Sequence, residues 1–142
     1  MAEISSNKAK RIINQAFAKG KELGLQPLSV IVVDAGGHCK AFERQDGAAP
    51  GRFAVADGKA HAAIMLGMPT SKLMDRGEQQ PYFVNAVNGV YNGRVIPVPG
   101  GVLVKDKRGK VIGAVGVTGD TSDNDAIAAV AGIEGAGLTA EA

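Results

Sequence analysis

The sequence predicts one α+β domain, in which helices pack on a mainly antiparallel sheet. Three observations point there. Two pairs of β-branched runs are each joined by a short glycine-containing turn, which is the mark of a hairpin. Segments with apolar residues three and four apart stand before the first pair and between the two, and an apolar one follows the second. Hairpins, rather than long crossovers, connect the strands, so the sheet is antiparallel rather than doubly wound. The length of 142 residues suits a single domain over 1–142 with a sizeable core.

The first helix is expected over 5–23. Ala9, Ile12, Ile13, Ala16, Phe17 and Leu23 share one face. Ser5 or Ser6 can cap its start, Gly24 stops it, and Pro27 confirms that it has ended. Residues 28–33 follow as a β-branched strand buried on both faces. AGG turns the chain, and Cys39 to Arg44 returns as the second strand. QDGAAPGR reads as a loop. A second helix spans 52–68, with Phe53, Ala56, Ala60, Ala63, Ile64 and Gly67 on its core face, and Pro69 ends it. Thr70 can cap a short helix, SKLMDRG, and residues 81–93 read as a short helix or a loop. VLVK and KVIGAVGV form the second hairpin around DKRG. Ser122, with Asp125 three residues on, resembles a capping box ahead of AIAAVAGIEGAGL. That helix is apolar all round, so it is buried against the sheet or another subunit. The tail after Leu138 is expected to fray.

Composition narrows the function classes. Sixteen basic residues offset fourteen acids, giving a net charge of +2 with no basic block. Aromatics are only 4% of the chain, leaving little to stack on bases, so no nucleic-acid partner is expected. No apolar run reaches membrane-spanning length, and MAEISSNKAK is not a secretory leader, so a cytoplasmic protein without a membrane partner is expected. The one cysteine, Cys39, permits no internal disulfide and suits a reducing compartment.

The stretch RVIPVPGGVLV interrupts a good strand with Pro97, Pro99, Gly100 and Gly101. The prolines lack an amide hydrogen and hold the chain extended at a sheet edge. The glycine amides, uncovered by side chains, can cradle a carboxylate, or the stretch can be a tight bend that protects the edge. His61 has Asp57 four residues before it and Met65 four after it, on one helical stripe. Asp57 can orient His61 for general acid–base work or for axial metal ligation, or His61 is a partly exposed helical histidine. Lys59 can meet an acidic group or remain solvated. His38, in the AGGH turn, is a weaker ligand candidate. Arg44 and Asp46 can clamp a ligand or pair with each other. Asp120, Asp123 and Asp125 lack the calcium-loop pattern and suit helix capping instead. No zinc spacing, phosphate loop, dinucleotide fingerprint or nucleophile elbow is present.

Four stretches already met resemble the GlcG/HbpS-like family: VIVVDAGGHCKAFERQDGA, GKAHAA with GMPTSKL, VIPVPGGVLV, and GKVIGAVGVTGDTSDNDAIA. They occur in family order within residues 5–137. The resemblance implies a profilin-like or PAS-like fold with a five-stranded antiparallel sheet, and homo-oligomers. It also implies haem or another tetrapyrrole as ligand, in an accessory or sensing protein of a catabolic operon. On that reading His61, or less readily His38, ligates iron. The propionates would meet the Gly100 and Gly101 amides that follow Pro99, together with Lys59 or Arg44, and Met65, Met68 and Met74 would supply soft contacts. The alternative expectation is a cofactor-independent isomerase, tautomerase or lyase acting on a small carboxylic acid. There His61, oriented by Asp57, moves the proton, and Lys59 or Arg44 fixes the substrate.

Overall fold

A computed structural model describes residues 3–142. Its elements, in chain order, are α1 (Ser6–Leu23), β1 (Ser29–Asp34), β2 (Cys39–Arg44), α2 (Arg52–Leu66), α3 (Thr70–Gln79), α4 (Pro81–Val90), β3 (Gly101–Lys105), β4 (Val111–Thr118), α5 (Ser122–Gly135) and β5 (Thr139–Glu141). The strands make one sheet in the order β2-β1-β4-β3-β5, and every neighbouring pair is antiparallel. The α+β expectation and the five-stranded antiparallel sheet are both met.

Alternation along the strands sends side chains to two cores. Val30, Val32, Val102, Val104, Val115 and Val117 meet α1 and α5 on one face. Ile31, Val33, Leu103 and Ala114 meet α2 on the other. On α1, Ile12 and Ile13 are buried, each contributing about 1.5–3 kcal/mol. Ser5 caps α1 by accepting from the Lys8 amide at 3.1 Å, and Gly24 ends it in the left-handed conformation.

Two local expectations are corrected and one open alternative is decided. The tail does not fray: Thr139–Glu141 pairs with Lys105–Leu103 of β3, and Lys105 Nζ holds the Glu141 carboxylate at 2.6 Å. Residues 81–90 are helical, with Pro81 in the first turn, where its missing amide costs nothing. The cap of α5 is Thr121, one residue earlier than expected, and its Oγ1 accepts from the Asn124 amide at 3.3 Å.

The largest departure concerns α2. Its face toward the sheet is the expected Ala56, Ala60 and Ala63, although Phe53 stays exposed and stacks edge-on against Phe42. Its opposite side is covered as well. There Ala62, Leu73 of α3 and Val95 form a third apolar cluster, flanked by Phe83, Val84 and Val87 of α4. Helix α2 is thus a middle layer, and polar residues on either side of it are drawn into the interior. No helix among the described residues is long and apolar enough to cross a membrane.

Candidate functional site

The two glycines of PGG make room for α2. A Cβ on Gly101 would run into the Lys59 carbonyl oxygen, and one on Gly100 would lie 2.8 Å from Lys59 Nζ and 2.6 Å from the Val117 carbonyl. Gly100 also has φ of +126°, a conformation that side chains resist. The Gly101 amide donates to Thr70 Oγ1 at 2.8 Å, and the Gly100 carbonyl accepts from the Val117 amide at 2.9 Å. Pro99, Gly100 and Gly101 are all buried. The stretch therefore closes the end of the sheet. It does not present open amides.

Lys59 explains the need for that room. Its side chain, 3% exposed, rounds the end of the sheet from the α2 side. Nζ donates to the Val117 carbonyl at 2.9 Å and pairs with Asp125 of α5 at 3.1 Å. Asp125 Oδ1 in turn accepts from the Asp120 amide at 2.9 Å. Burial pushes Lys59 down and Asp125 up, and each partner's charge opposes the shift. The sequence left Lys59 open between an anion partner and a solvated surface residue. The anion it meets is internal. Nearby, Arg52 donates to Thr118 Oγ1 at 2.8 Å.

On the other side of α2 lies a second group. His61 is buried to 6% exposure, which corrects its expected place on a half-open stripe. The α4 end and residues 94–96 cover it. Its Nδ1 lies 3.0 Å from the Arg94 carbonyl oxygen. A carbonyl oxygen only accepts, so in the neutral ring Nδ1 carries the proton and Nε2 carries the lone pair. Nε2 makes no hydrogen bond within the described chain. It is not a buried orphan either, because among the described residues only Ser29 Oγ is buried without a partner. Nε2 therefore reaches solvent. Tyr91 stands edge-on to the ring at 5.6 Å between centroids, and Gly37, in the β1–β2 turn, packs closely against Met65, Ile64 and the His61 Cδ2 edge.

Asp57 does not touch His61. Its carboxylate is taken by Arg94, with Nε to Oδ2 at 2.8 Å and Nη2 to Oδ1 at 3.0 Å. That bidentate pair raises the Arg94 pKa. The shared stripe was legible. The intervening arginine was not, because it comes from a loop more than thirty positions away. Cys39 is exposed, and partial burial with the Asp57 charge pushes its thiol up, which keeps it protonated.

The remaining candidates lie apart. His38 is exposed, its ring folded over Gly36, beside a shallow cleft of about 310 Å³ shared with Glu3, Lys40 and Lys110. Arg44 and Asp46 form no ion pair with each other. They line an open cleft of about 510 Å³ with Lys21 and Glu43, at the opposite end of β2 from the turn that touches His61. No group of three or more metal-binding His, Cys, Asp or Glu side chains occurs among the described residues.

Several known proteins are similar to this chain in sequence or in fold. The chain is 33% identical over 129 residues to the uncharacterised 15.0 kDa protein of the dhaT–dhaS intergenic region of Citrobacter freundii, covering 91% of this chain and 89% of that one. The crystal structure of a double mutant of Streptomyces reticuli HbpS superposes with a TM-score of 0.81 at 30% identity, covering 94% of this chain and 87% of that one. A crystal structure of a PduOC:heme complex superposes with a TM-score of 0.87 at 22% identity, covering 99% and 100%, a likeness of fold. A sequence profile described as "Haem degrading protein HbpS-like" matches residues 4–134, and with it the chain belongs to the HbpS-like family.

Proposed function

We propose that this chain binds haem or another tetrapyrrole, as a cytoplasmic, homo-oligomeric accessory or sensing protein, with His61 Nε2 as the iron ligand. The observation that carries the reading is the state of the His61 ring. Its Nδ1 proton is committed to a backbone carbonyl, and its Nε2 lone pair is open to solvent. That is the arrangement a metal-ligating imidazole needs, since the partner of one nitrogen fixes the tautomer and aim of the other. The family description names haem, and so does the related PduOC structure. A bound haem would supply a redox-active iron with an intense visible band. The chain's part is to present Nε2, to set the ring against Tyr91, and to offer Met65 and Ile64 as apolar neighbours. Lys59, Gly100 and Gly101 serve the interior, and Arg44 lies at the far end of β2, so His61 carries this reading.

Titrating metal-free protein with haemin tests it. A saturable Soret band that shifts in His61→Ala is expected. An unchanged band in that variant would refute ligation, and a broad band that never saturates would refute specific haem binding. The open Nε2 also fits a second reading, an isomerase, tautomerase or lyase of small carboxylic acids with His61 as acid–base group. Turnover of an unsaturated or hydroxy acid that disappears in His61→Ala would favour it.

A further inference from the structure

We infer that Asp57 and Arg94 form a positioning pair that sets the tautomer and the outward aim of His61. The inference deepens the ligation reading and rests on it for its functional meaning. Its structural claim stands on the ligand-free chain.

Arg94 leaves α4 through an unusual turn. Asn92 has φ of 57° and Gly93 has φ of 80°, two left-handed residues in succession. The Gly93 amide donates to the Asn88 carbonyl at 2.8 Å, and the Arg94 amide donates to the Tyr91 carbonyl at 3.1 Å. Two residues further on, the Ile96 amide donates to the Gly58 carbonyl of α2 at 3.2 Å. Helix α2 thus grips this segment at three points. Gly58 holds the backbone of Ile96. Asp57 holds the guanidinium of Arg94. One turn later on the same stripe, His61 donates to the Arg94 carbonyl.

Of these, the grip of Asp57 fixes the Arg94 residue itself. A bidentate arginine–carboxylate pair defines a plane as well as a distance. With the side chain clamped four residues before His61, the carbonyl of the same residue faces Nδ1. Arg94 also takes up the Asp57 charge. What faces the ring is then a neutral acceptor, where the spacing in the sequence had placed a carboxylate. The ring is held as an Nδ1–H imidazole whose free Nε2 suits a neutral-nitrogen site for a metal or metalloporphyrin. Neither Asp57 nor Arg94 needs to touch that ligand.

The test reads the ring directly. Nitrogen-15 correlation spectra of the ligand-free protein report which nitrogen of His61 is protonated. The wild type is expected to give a single Nδ1–H pattern. Asp57→Asn keeps the shape of the side chain and removes its charge, and Arg94→Gln removes the guanidinium. The Arg94 side chain is 45% exposed, so both variants are expected to fold, and dispersion of the amide spectrum checks this. Each should mix the two tautomers and lower haemin affinity roughly 10-fold or more, as loss of a partner behind a ligating histidine does. A wild-type ring pattern retained in both folded variants would overturn the positioning role, even if haemin binds through His61. A wild type that shows the Nδ1–H ring, loses it in the variants, yet never saturates with haemin would refute the ligation reading and support the positioning pair.

Discussion

Removing one member of the Lys59–Asp125 pair should cost far more than the pair itself is worth. Both side chains are nearly sealed from water, at 3% and 2% exposure, and their atoms meet at 3.1 Å. Lys59→Met leaves a buried carboxylate without its cation, and Asp125→Ala leaves a buried ammonium without its anion. Each should destabilise the fold by about 3–5 kcal/mol. For a domain near this size that lowers Tm by on the order of 10 °C. The double variant Lys59→Met/Asp125→Ala carries no orphaned charge. What remains is the Val117 carbonyl and the Asp120 amide, each stripped of a partner, at about 1–3 kcal/mol apiece. The double variant should therefore lose less than the two single variants together, with a coupling of about 2–3 kcal/mol. Acidification adds a sign test. Burial already holds Asp125 above the usual carboxylate range, and without Lys59 nothing cationic opposes that. A raised folded pKa penalises the fold above that value and releases it as pH falls through it, so the deficit of Lys59→Met should shrink on acidification. Urea unfolding of the four proteins at two pH values measures all of this. Losses that add within about 0.5 kcal/mol would refute the reasoning, because independent sites behave that way.

Three further outcomes are expected. Gly101→Ala should cost about 1–3 kcal/mol in urea unfolding, since its Cβ would meet the Lys59 carbonyl and lie 2.7 Å from Thr70 Cγ2; an unchanged midpoint would contradict the close approach. Deleting residues 139–142 removes the partner of β3 and should cost about 1–3 kcal/mol in hydrogen bonding, with light scattering rising as the bared edge self-pairs; a stable, non-scattering truncation would count against β5. Asp120 is held below the usual carboxylate value of 3.8, first by the Asn124 side chain and then by the Gln26 and Thr121 amides. Its stabilisation is present above that unfolded value and lost as pH falls through the lower folded one, so Asp120→Asn should flatten the acid limb of stability against pH; an acid limb identical to wild type would exclude the role.

Strands β1 to β4 and α1 were legible because each carries a local pattern of its own. The β-branched runs of β1, β3 and β4, the Ser5 cap and the Gly24 stop all act locally. Helix α2 was half legible. Its alanine face pointed to the sheet as spacing dictates, but spacing cannot say that α3 and α4 fold back over the opposite side. That second layer buried His61. The burial of Lys59 has another cause, its path round the sheet end to Asp125, sixty-six positions away. One sequence signal did mark the tight quarters of that helix: Lys59 stands between Gly58 and Ala60, and Gly58 faces Ile96 with no room for a Cβ. Arg94 stood at the head of the proline–glycine stretch RVIPVPGGVLV, yet its role needed the left-handed turn at Asn92 and Gly93 to bring it beside Asp57. The tail was misjudged because three residues carry too little pattern to announce a strand whose partner lies more than thirty positions upstream.

The strand order leaves two outer edges, and they are guarded differently. Along β2 the exposed positions on its two faces carry Lys40, Arg44 and Glu43, charges that discourage an incoming strand. At the other edge β5 is only three residues long and is bound by Lys105 and Lys72 through Glu141. A further strand finds a charged rail on one side and a short stub on the other. Neither edge is an easy template for a further strand, so the homo-oligomer proposed above would be joined through helix surfaces. Exposed apolar side chains stand on several helices: Leu23 of α1, Phe53 of α2, Tyr82 and Val90 of α4, and Ile127 of α5.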